Sequence, residues 1–371
     1  MKVLIWGTGN FGKYISQQIG QKEDIDIKCY VDSNQQKWGT KLNNKPIIAP
    51  DEIIEFYEKN DVILVAFTNG ITVFEQIKSR YNCKFGIVRN CVFEAKLQLK
   101  NDILKDNNIL WNDAEFLQKP MLQSLETNVM DGCNLNCRGC SHFSNLFHRD
   151  EKIDFGTFCK DLKRITDNVY IYRFNMLGGE ILLNNQLIDY IEYAKKVMPD
   201  TDIELVTNGL LIPKQDKSFF ECCKKNNVII GISGYKPTLA LKNEIIKVLE
   251  ENQVTYIFRD VVEDFGKNID LTGKNDVEIA VKNCRESKCH FMRRGKIYKC
   301  PFEALGNKLF THFNVDIELK GGIDIYRDDL NWQEVVNRLH NNPVEACRFC
   351  GKEERIEWRV ANPPCLEDWI I

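Results

Sequence analysis

Cys133-Asn134-Leu135-Asn136-Cys137-Arg138-Gly139-Cys140 places three cysteines in CxxxCxxC spacing immediately after a short β-rich run at residues 125–130. Three thiolates this close cannot all pair as disulfides. As soft ligands they suit an iron-sulfur cluster or zinc, and a four-iron cluster held by three of them would keep one iron without a protein ligand. With 15 cysteines in 371 residues, chance produces this triplet only about once in fifty such chains, whereas an isolated CxxC is commonplace. The other cysteines are therefore judged against this stretch.

Outward from the triplet, β-rich runs at residues 124–130, 169–177, 203–206, 228–233 and 254–259 alternate with amphipathic stretches at 155–167, 187–197, 217–226 and 239–251. Strands alternating with helices predict a parallel sheet or barrel. The strand ends carry the chemistry: Asp131-Gly132-Cys133, Gly178-Gly179-Glu180, Thr207-Asn208-Gly209 and Ser233-Gly234-Tyr235. In a β/α barrel the C-terminal strand edge builds the active site, so these four motifs are expected to share one cavity. Each alone is also an ordinary strand-to-helix turn; their recurrence at the same strand end favours the functional reading.

Residues 2–6 form a β-rich run that leads into Gly7-Thr8-Gly9-Asn10-Phe11-Gly12 and an amphipathic helix through Ile15 and Ile19. This is the strand, glycine turn and helix context that gives a GxGxxG match meaning. A second strand at 25–31 ends in Asp32, twenty positions after Gly12, where an acid can accept a ribose hydroxyl. Further strands at 61–67 and 85–88 complete a small doubly wound domain over residues 1–90. Its functional reading is a nucleotide or nucleotide-sugar with a phosphate on the helix N-terminus, involving Gly7, Gly9, Gly12 and Asp32. The bland reading leaves the glycines to allow only a tight turn and close packing. Residues 91–122 show scattered apolar periodicity and are expected to be a helical connector.

The chain is long enough for two or three domains. Its cysteine content is below that of small secreted disulfide scaffolds, and its N-terminal apolar run is too short for a signal peptide, so it reads as cytoplasmic. In a reducing compartment, clustered cysteines are metal ligands or catalytic groups rather than cross-links. No apolar stretch is long enough to span a bilayer. The net charge of -3, with both signs interspersed, gives no electrostatic footprint for nucleic acid or a membrane surface.

CNLNCRGC followed by GGE at Gly178 to Glu180 resembles the radical S-adenosylmethionine (AdoMet) enzymes over roughly residues 123–265, within a barrel domain expected over 123–270. The resemblance implies a partial (β/α)6 TIM-type barrel. It further implies a 4Fe-4S cluster on Cys133, Cys137 and Cys140, with AdoMet on the open iron. Gly178 and Gly179 would let the backbone approach the methionine moiety, and Glu180 would lie near its ammonium. Thr207, Asn208 and Ser233 would lie near its ribose and carboxylate. The aromatic residue usual before the third cysteine is replaced by Gly139, leaving His142 or Phe143 to supply a ring. A low-potential donor such as flavodoxin or ferredoxin is implied as partner.

Residues 271–371 form a cysteine-rich module. A hairpin turning near Gly295 is predicted to bring Cys289 and Cys300 together, and Cys347-Arg348-Phe349-Cys350 supplies two more sulfurs. The pattern resembles the short SPASM/twitch-like auxiliary modules, which implies a second 4Fe-4S cluster on Cys289, Cys300, Cys347 and Cys350. Zinc on the same four ligands is the alternative. Cys284 or Cys365 could replace one of them, while Cys29, Cys83, Cys91, Cys159, Cys222 and Cys223 read as packed residues.

The small N-terminal α/β domain resembles Rossmann-like domains attached to bacterial polysaccharide-biosynthesis enzymes. That resemblance implies a carbohydrate or sugar-containing substrate undergoing dehydrogenation or epimerisation. A peptide substrate is the runner-up, and a non-catalytic iron-sulfur or zinc nucleotide-sugar-binding scaffold is the reading from another class.

Overall fold

Lys2–Trp6 is apolar from its second residue onward, and those four side chains are buried, as a central parallel strand requires. The computed structural model describes residues 1–66, 77, 80–81, 83–89, 109–112 and 118–371. These divide into two compact units, Met1–Lys119 and Pro120–Ile371.

In the first unit, β1 (Lys2–Trp6), β2 (Asp26–Val31), β3 (Lys41–Leu42), β4 (Lys45–Ile48), β5 (Val62–Val65), β6 (Phe85–Val88) and β7 (Ile109–Trp111) form one sheet in the order β3-β4-β2-β1-β5-β6-β7. The inner strands are parallel, and β3 and β7 are antiparallel edges. The helix Asn10–Ile19 lays Phe11, Ile15 and Ile19 against Val3, Ile5 and Leu64. Gly12 is forced by this packing, since a Cβ there would lie 1.8 Å from the Gly7 carbonyl oxygen. Within the expected helical connector, residues 91–108 and 113–117, including Cys91, lie outside the described residues. Ile109–Trp111 departs from that expectation: three apolar residues are too few for a helix, and they pair along β6.

The second unit is built on β8 (Met121–Met130), β9 (Tyr170–Gly178), β10 (Asp202–Thr207), β11 (Ile229–Gly234) and β12 (Tyr256–Val261), which run parallel in sequence order. β13 (Asp264–Ile269) leaves this wall to pair with β17 (Cys350–Glu357). The wall resumes with β14 (His290–Arg293), which joins the free edge of β8 in parallel, followed by antiparallel β15 (Lys296–Tyr298) and β16 (Ile323–Asp324). The sheet is barrel-like, but β14 takes its place beside β8 instead of following β12 as a sixth β/α unit. The expected β14-β15 hairpin is present, and Arg294 and Gly295 both take left-handed backbone in its turn.

The crossover helices cover the outer face because their apolar stripes match it. Asp154 caps Phe155–Thr166 by accepting the Thr157 N–H at 2.8 Å, and Phe158, Leu162 and Ile165 pack on Phe174, Met176 and Leu205. Strand alternation then sends Glu126, Asn175 and Glu204 to the inner face, with Asn128, Leu177, Val206 and Ser233 one layer nearer the C-terminal edge. Among the described residues no helix is long and apolar enough to cross a membrane.

Candidate active site

The loop after β8 carries all three cysteines and is curled by two left-handed positions, Asn136 (φ 49°) and Gly139 (φ 66°). Cys133, Cys137 and Cys140 line one cavity of about 200 Å³ together with Gly178, Gly179, Thr207, Asn208 and Ser233. The cavity therefore gathers the motifs that end β8, β9, β10 and β11. Leu135, Leu210, Tyr235, Phe265 and Trp358 surround the thiols with apolar surface. Burial pushes the Cys133 thiol up to about 12 and raises Cys137 further, in both cases with Cys140 as a like-charged neighbour. Such thiols stay protonated in water-excluded surroundings unless a cation or a hydrogen-bond donor compensates. The buried indole N–H of Trp358, in the apolar shell around these thiols, has no hydrogen-bond partner among the described residues. Around the triplet the sulfurs frame a cavity, and among the described residues no three His, Cys, Asp or Glu side chains converge on a single-ion position. Three soft donors lining one cavity within an apolar shell fit an iron-sulfur cluster.

Glu180, which the resemblance sets near the AdoMet ammonium, follows β9 with its carboxylate held by neighbouring backbone and hydroxyl donors. It is fully buried and is not among the cavity-lining residues. Oε1 accepts from Leu182 N at 3.0 Å and Thr207 Oγ1 at 2.6 Å, and Oε2 accepts from Asn208 N at 2.9 Å. The carboxylate thus braces the end of β9 against the end of β10. Asn208 in turn donates to Asn134 Oδ1 at 2.7 Å, tying that wall to the cysteine loop. Gly178 and Gly179 allow this closeness, since Cβ atoms there would lie 1.8 Å from Met130 O and 2.1 Å from Gly132 O.

Of the two rings expected near the cysteines, only His142 lines the cavity. Phe143 is buried against Phe302 and Trp369 in the C-terminal core. His142 Nδ1 lies 2.9 Å from Asn128 Oδ1, Asn128 Nδ2 donates to Asp131 at 3.0 Å, and Arg293 clamps Asp131 through bonds of 2.9 and 2.8 Å. Burial lowers His142 to about 4.

The chain's last residues strap the loop from outside. Arg138 N donates to Arg359 O and Ala361 N to Asn136 O, Arg138 Nε meets Asp368 at 2.6 Å, and Trp369 Nε1 donates to Cys140 O at 2.9 Å. Sequence reading did not anticipate this strap, nor the Asn128, Asp131 and Arg293 chain.

The C-terminal cysteines gather around the same strands. The hairpin register sets Cys289 opposite Cys300, and the helix Val277–Asn283, which ends at Cys284, packs on the segment Glu345–Phe349 and on β17. Cys350 is raised to about 12, chiefly by burial and then by Cys347 and Cys284; Cys284 in turn feels Cys347. The leading neighbours of Cys289 are instead the carboxyls of Glu126 and Glu286 on the barrel side. Burial pushes Glu286 up to about 7. Cys284 thus lies within charge range of Cys347 and Cys350, although among the described residues no three of these side chains meet as a single-ion site, and Cys365 is exposed.

In the first unit, Gly7 is left-handed (φ 123°) and nothing lies within 4 Å of a Cβ built at Gly9. Asp32 follows β2 and is buried. Its carboxylate accepts from Thr8 Oγ1, from Lys37 Nζ at 2.8 Å and from Asn34 N at 2.9 Å. Burial raises its pKa, but these donors outweigh it and hold the group below the usual carboxylate range.

Two family models match the chain: "C2185-like, N-terminal" over residues 1–87 and "4Fe-4S single cluster domain" over residues 126–253. Among curated relatives, a GTP 3',8-cyclase of Alkaliphilus oremlandii is 27% identical over 136 residues, covering 34% of this chain and 41% of the relative. That of Clostridium acetobutylicum is 27% identical over 164 residues, covering 42% and 49%. The chain spans about half the length of these relatives. The solved structure of BtrN with AdoMet and 2-DOIA aligns with 63% of this chain and 94% of its own at 15% identity and TM-score 0.39. UDP-D-quinovosamine 4-dehydrogenase from Vibrio fischeri aligns with 31% of this chain and 94% of its own at 16% identity and TM-score 0.25. The CxxxCxxC loop and the GGE strand end both lie within the matched 4Fe-4S single-cluster domain, and over this region the chain is similar to the radical AdoMet superfamily.

Proposed function

We propose that this radical AdoMet enzyme removes a hydrogen atom from a carbon of a carbohydrate or sugar-containing metabolite, in a dehydrogenation or epimerisation within polysaccharide or glycan biosynthesis. The observation that carries the site assignment is the single cavity shared by Cys133, Cys137, Cys140 and the ends of β9, β10 and β11. The three thiolates hold the 4Fe-4S cluster, and the glycine backbone at 178–179 with Thr207, Asn208 and Ser233 receives AdoMet. When bound, cluster and AdoMet supply one-electron cleavage of a carbon-sulfur bond and, through it, hydrogen-atom abstraction. The protein's part is to position and to exclude. Leu135, Tyr235, Phe265 and Trp358 keep water from the sulfurs. The Glu180 brace holds the β10 end, and the terminal strap closes the loop from behind. The sugar reading is supported by the N-terminal unit, whose strand, glycine turn and helix resemble domains of polysaccharide enzymes. Gly7, Gly9 and Gly12 would there serve a phosphate, with Asp32 fixing the turn.

We assign the auxiliary 4Fe-4S cluster to Cys284, Cys300, Cys347 and Cys350, with Cys289 turned to Glu126. It would act as a one-electron relay or as a substrate anchor. Anaerobically reconstituted protein mixed with AdoMet and a low-potential reductant is expected to release 5'-deoxyadenosine. No release from protein with an assembled cluster would sink the proposal. About eight irons per chain supports two clusters, whereas about four irons with one zinc supports a structural zinc in the module.

A further inference from the structure

His142 sits in the AdoMet cavity with its tautomer set from behind. The chain of constraint starts at Arg293, whose two terminal nitrogens donate to both Asp131 oxygens at 2.9 and 2.8 Å. Asp131 is fully buried, and its remaining bond is accepted from Asn128 at 3.0 Å, which must come from the amide nitrogen because a carboxylate cannot donate. That choice turns the Asn128 carbonyl oxygen to His142 Nδ1 at 2.9 Å. A carbonyl only accepts, so Nδ1 carries the hydrogen, and in the neutral ring Nε2 then carries the lone pair. The ring leans on Phe291 at 6.0 Å between centroids, which restrains rotation, and it lines the cavity beside Cys140. Nε2 has no hydrogen-bond partner among the described residues.

Two features make this more than a buried polar chain. Asn128, Asp131 and Arg293 come from a strand, the following loop and the β14-β15 hairpin, so three separate elements agree on one ring orientation. The product of that agreement is a fixed acceptor presented to a cavity whose other polar side chains are thiols, hydroxyls and amides. An acceptor held this way discriminates for a donor, because a mismatched ligand group would leave the lone pair dehydrated and unpaired.

We infer that His142 Nε2 accepts a hydrogen bond from an N–H or O–H of bound AdoMet, and that Asn128, Asp131 and Arg293 are positioning residues that hold it in the accepting tautomer. This rests on the AdoMet site proposed above. It also gives the hairpin bearing the auxiliary cysteines a direct hand in AdoMet binding, since Arg293 is its last strand residue before the turn.

The test uses the full chain, anaerobically reconstituted, with AdoMet alone as the probe. Iron content reports cluster assembly, and the AdoMet dissociation constant is read by equilibrium binding and by the AdoMet-induced change in the reduced cluster's electron paramagnetic resonance spectrum. His142→Leu is expected to weaken AdoMet about tenfold with iron unchanged. His142→Gln, which can place an acceptor near the Nε2 position, is expected to recover most of that loss. Asn128→Leu keeps the imidazole but frees its tautomer and is expected to weaken AdoMet by a similar factor. If Asn128→Leu does not fold, the two His142 variants decide alone. Wild-type affinity in His142→Leu, or Gln binding no better than Leu, overturns the inference. Wild-type protein that assembles its cluster yet binds no AdoMet defeats the proposed function instead.

Discussion

Glu180→Gln separates two jobs that the same residue could do. The wild-type carboxylate has three donors and no exposure: Leu182 N at 3.0 Å, Thr207 Oγ1 at 2.6 Å and Asn208 N at 2.9 Å. Glutamine has the same shape but brings an NH2 group. Either amide orientation sets that NH2 against one of the two backbone N–H groups, because each carboxylate oxygen accepts from one of them. At least one accepted hydrogen bond is lost and at least one buried donor is left unsatisfied, at a cost of about 2 kcal/mol. For a domain of roughly this size that corresponds to a fall in Tm of about 4–8 °C. Scanning calorimetry of the full chain under anaerobic conditions, with matched iron content and no AdoMet, reads this directly. The reasoning is refuted if Tm is unchanged while AdoMet affinity drops sharply, since Glu180 would then be touching AdoMet rather than bracing its wall.

Further outcomes follow from other contacts. Cys284→Ser is expected to halve the iron content while Cys289→Ser retains it; the reverse pattern would return Cys289 to the ligand set. Replacing Cys133, Cys137 and Cys140 together by Ala should abolish 5'-deoxyadenosine release yet leave the C-terminal metal in place, as metal analysis would show. Gly178→Ala is expected to disrupt the site severely, because its Cβ would meet Met130 O at 1.8 Å and its φ is 140°; soluble yield and iron content report it. For Asp32, the folded pKa lies below the unfolded value, so its contribution is complete above pH about 4 and is lost as pH falls through the folded value. Asp32→Asn should therefore destabilise the first unit at neutral pH and flatten its acid loss, followed by denaturation as a function of pH.

The parts that could be read from sequence were those with local periodicity or fixed spacing. CxxxCxxC, the glycine turns and the alternation of strand and helix are patterns within a few residues, and the fold reproduces them. The orientation of polar side chains was not readable in that way. Spacing singles out Glu180 and Asp32, but what an acid's carboxylate meets depends on which N–H groups the next loop brings close. The terminal strap escaped notice because Arg138 and Asp368 are 230 positions apart and neither belongs to a spaced motif. Cys284 and Cys289 both precede the hairpin, and only the approach of the helix Val277–Asn283 to the segment Glu345–Phe349 separates their surroundings. Ile109–Trp111 was read with the connector because three apolar residues carry too little periodicity to be told apart from it.

The parallel pairing of β14 with β8 has a consequence for how this protein can be divided or evolve. His290 and Phe291 occupy the hydrogen-bonding edge beside Leu125 and Glu126, so a chain cut before residue 290 would leave the cysteine-bearing strand with bare N–H and C=O groups. Such an edge recruits other strands and aggregates. The cysteine-rich segment therefore cannot be exchanged as a detachable cassette without replacing that strand. Any donor for a chimera must supply a strand in the same direction and register before its own cysteines can be considered.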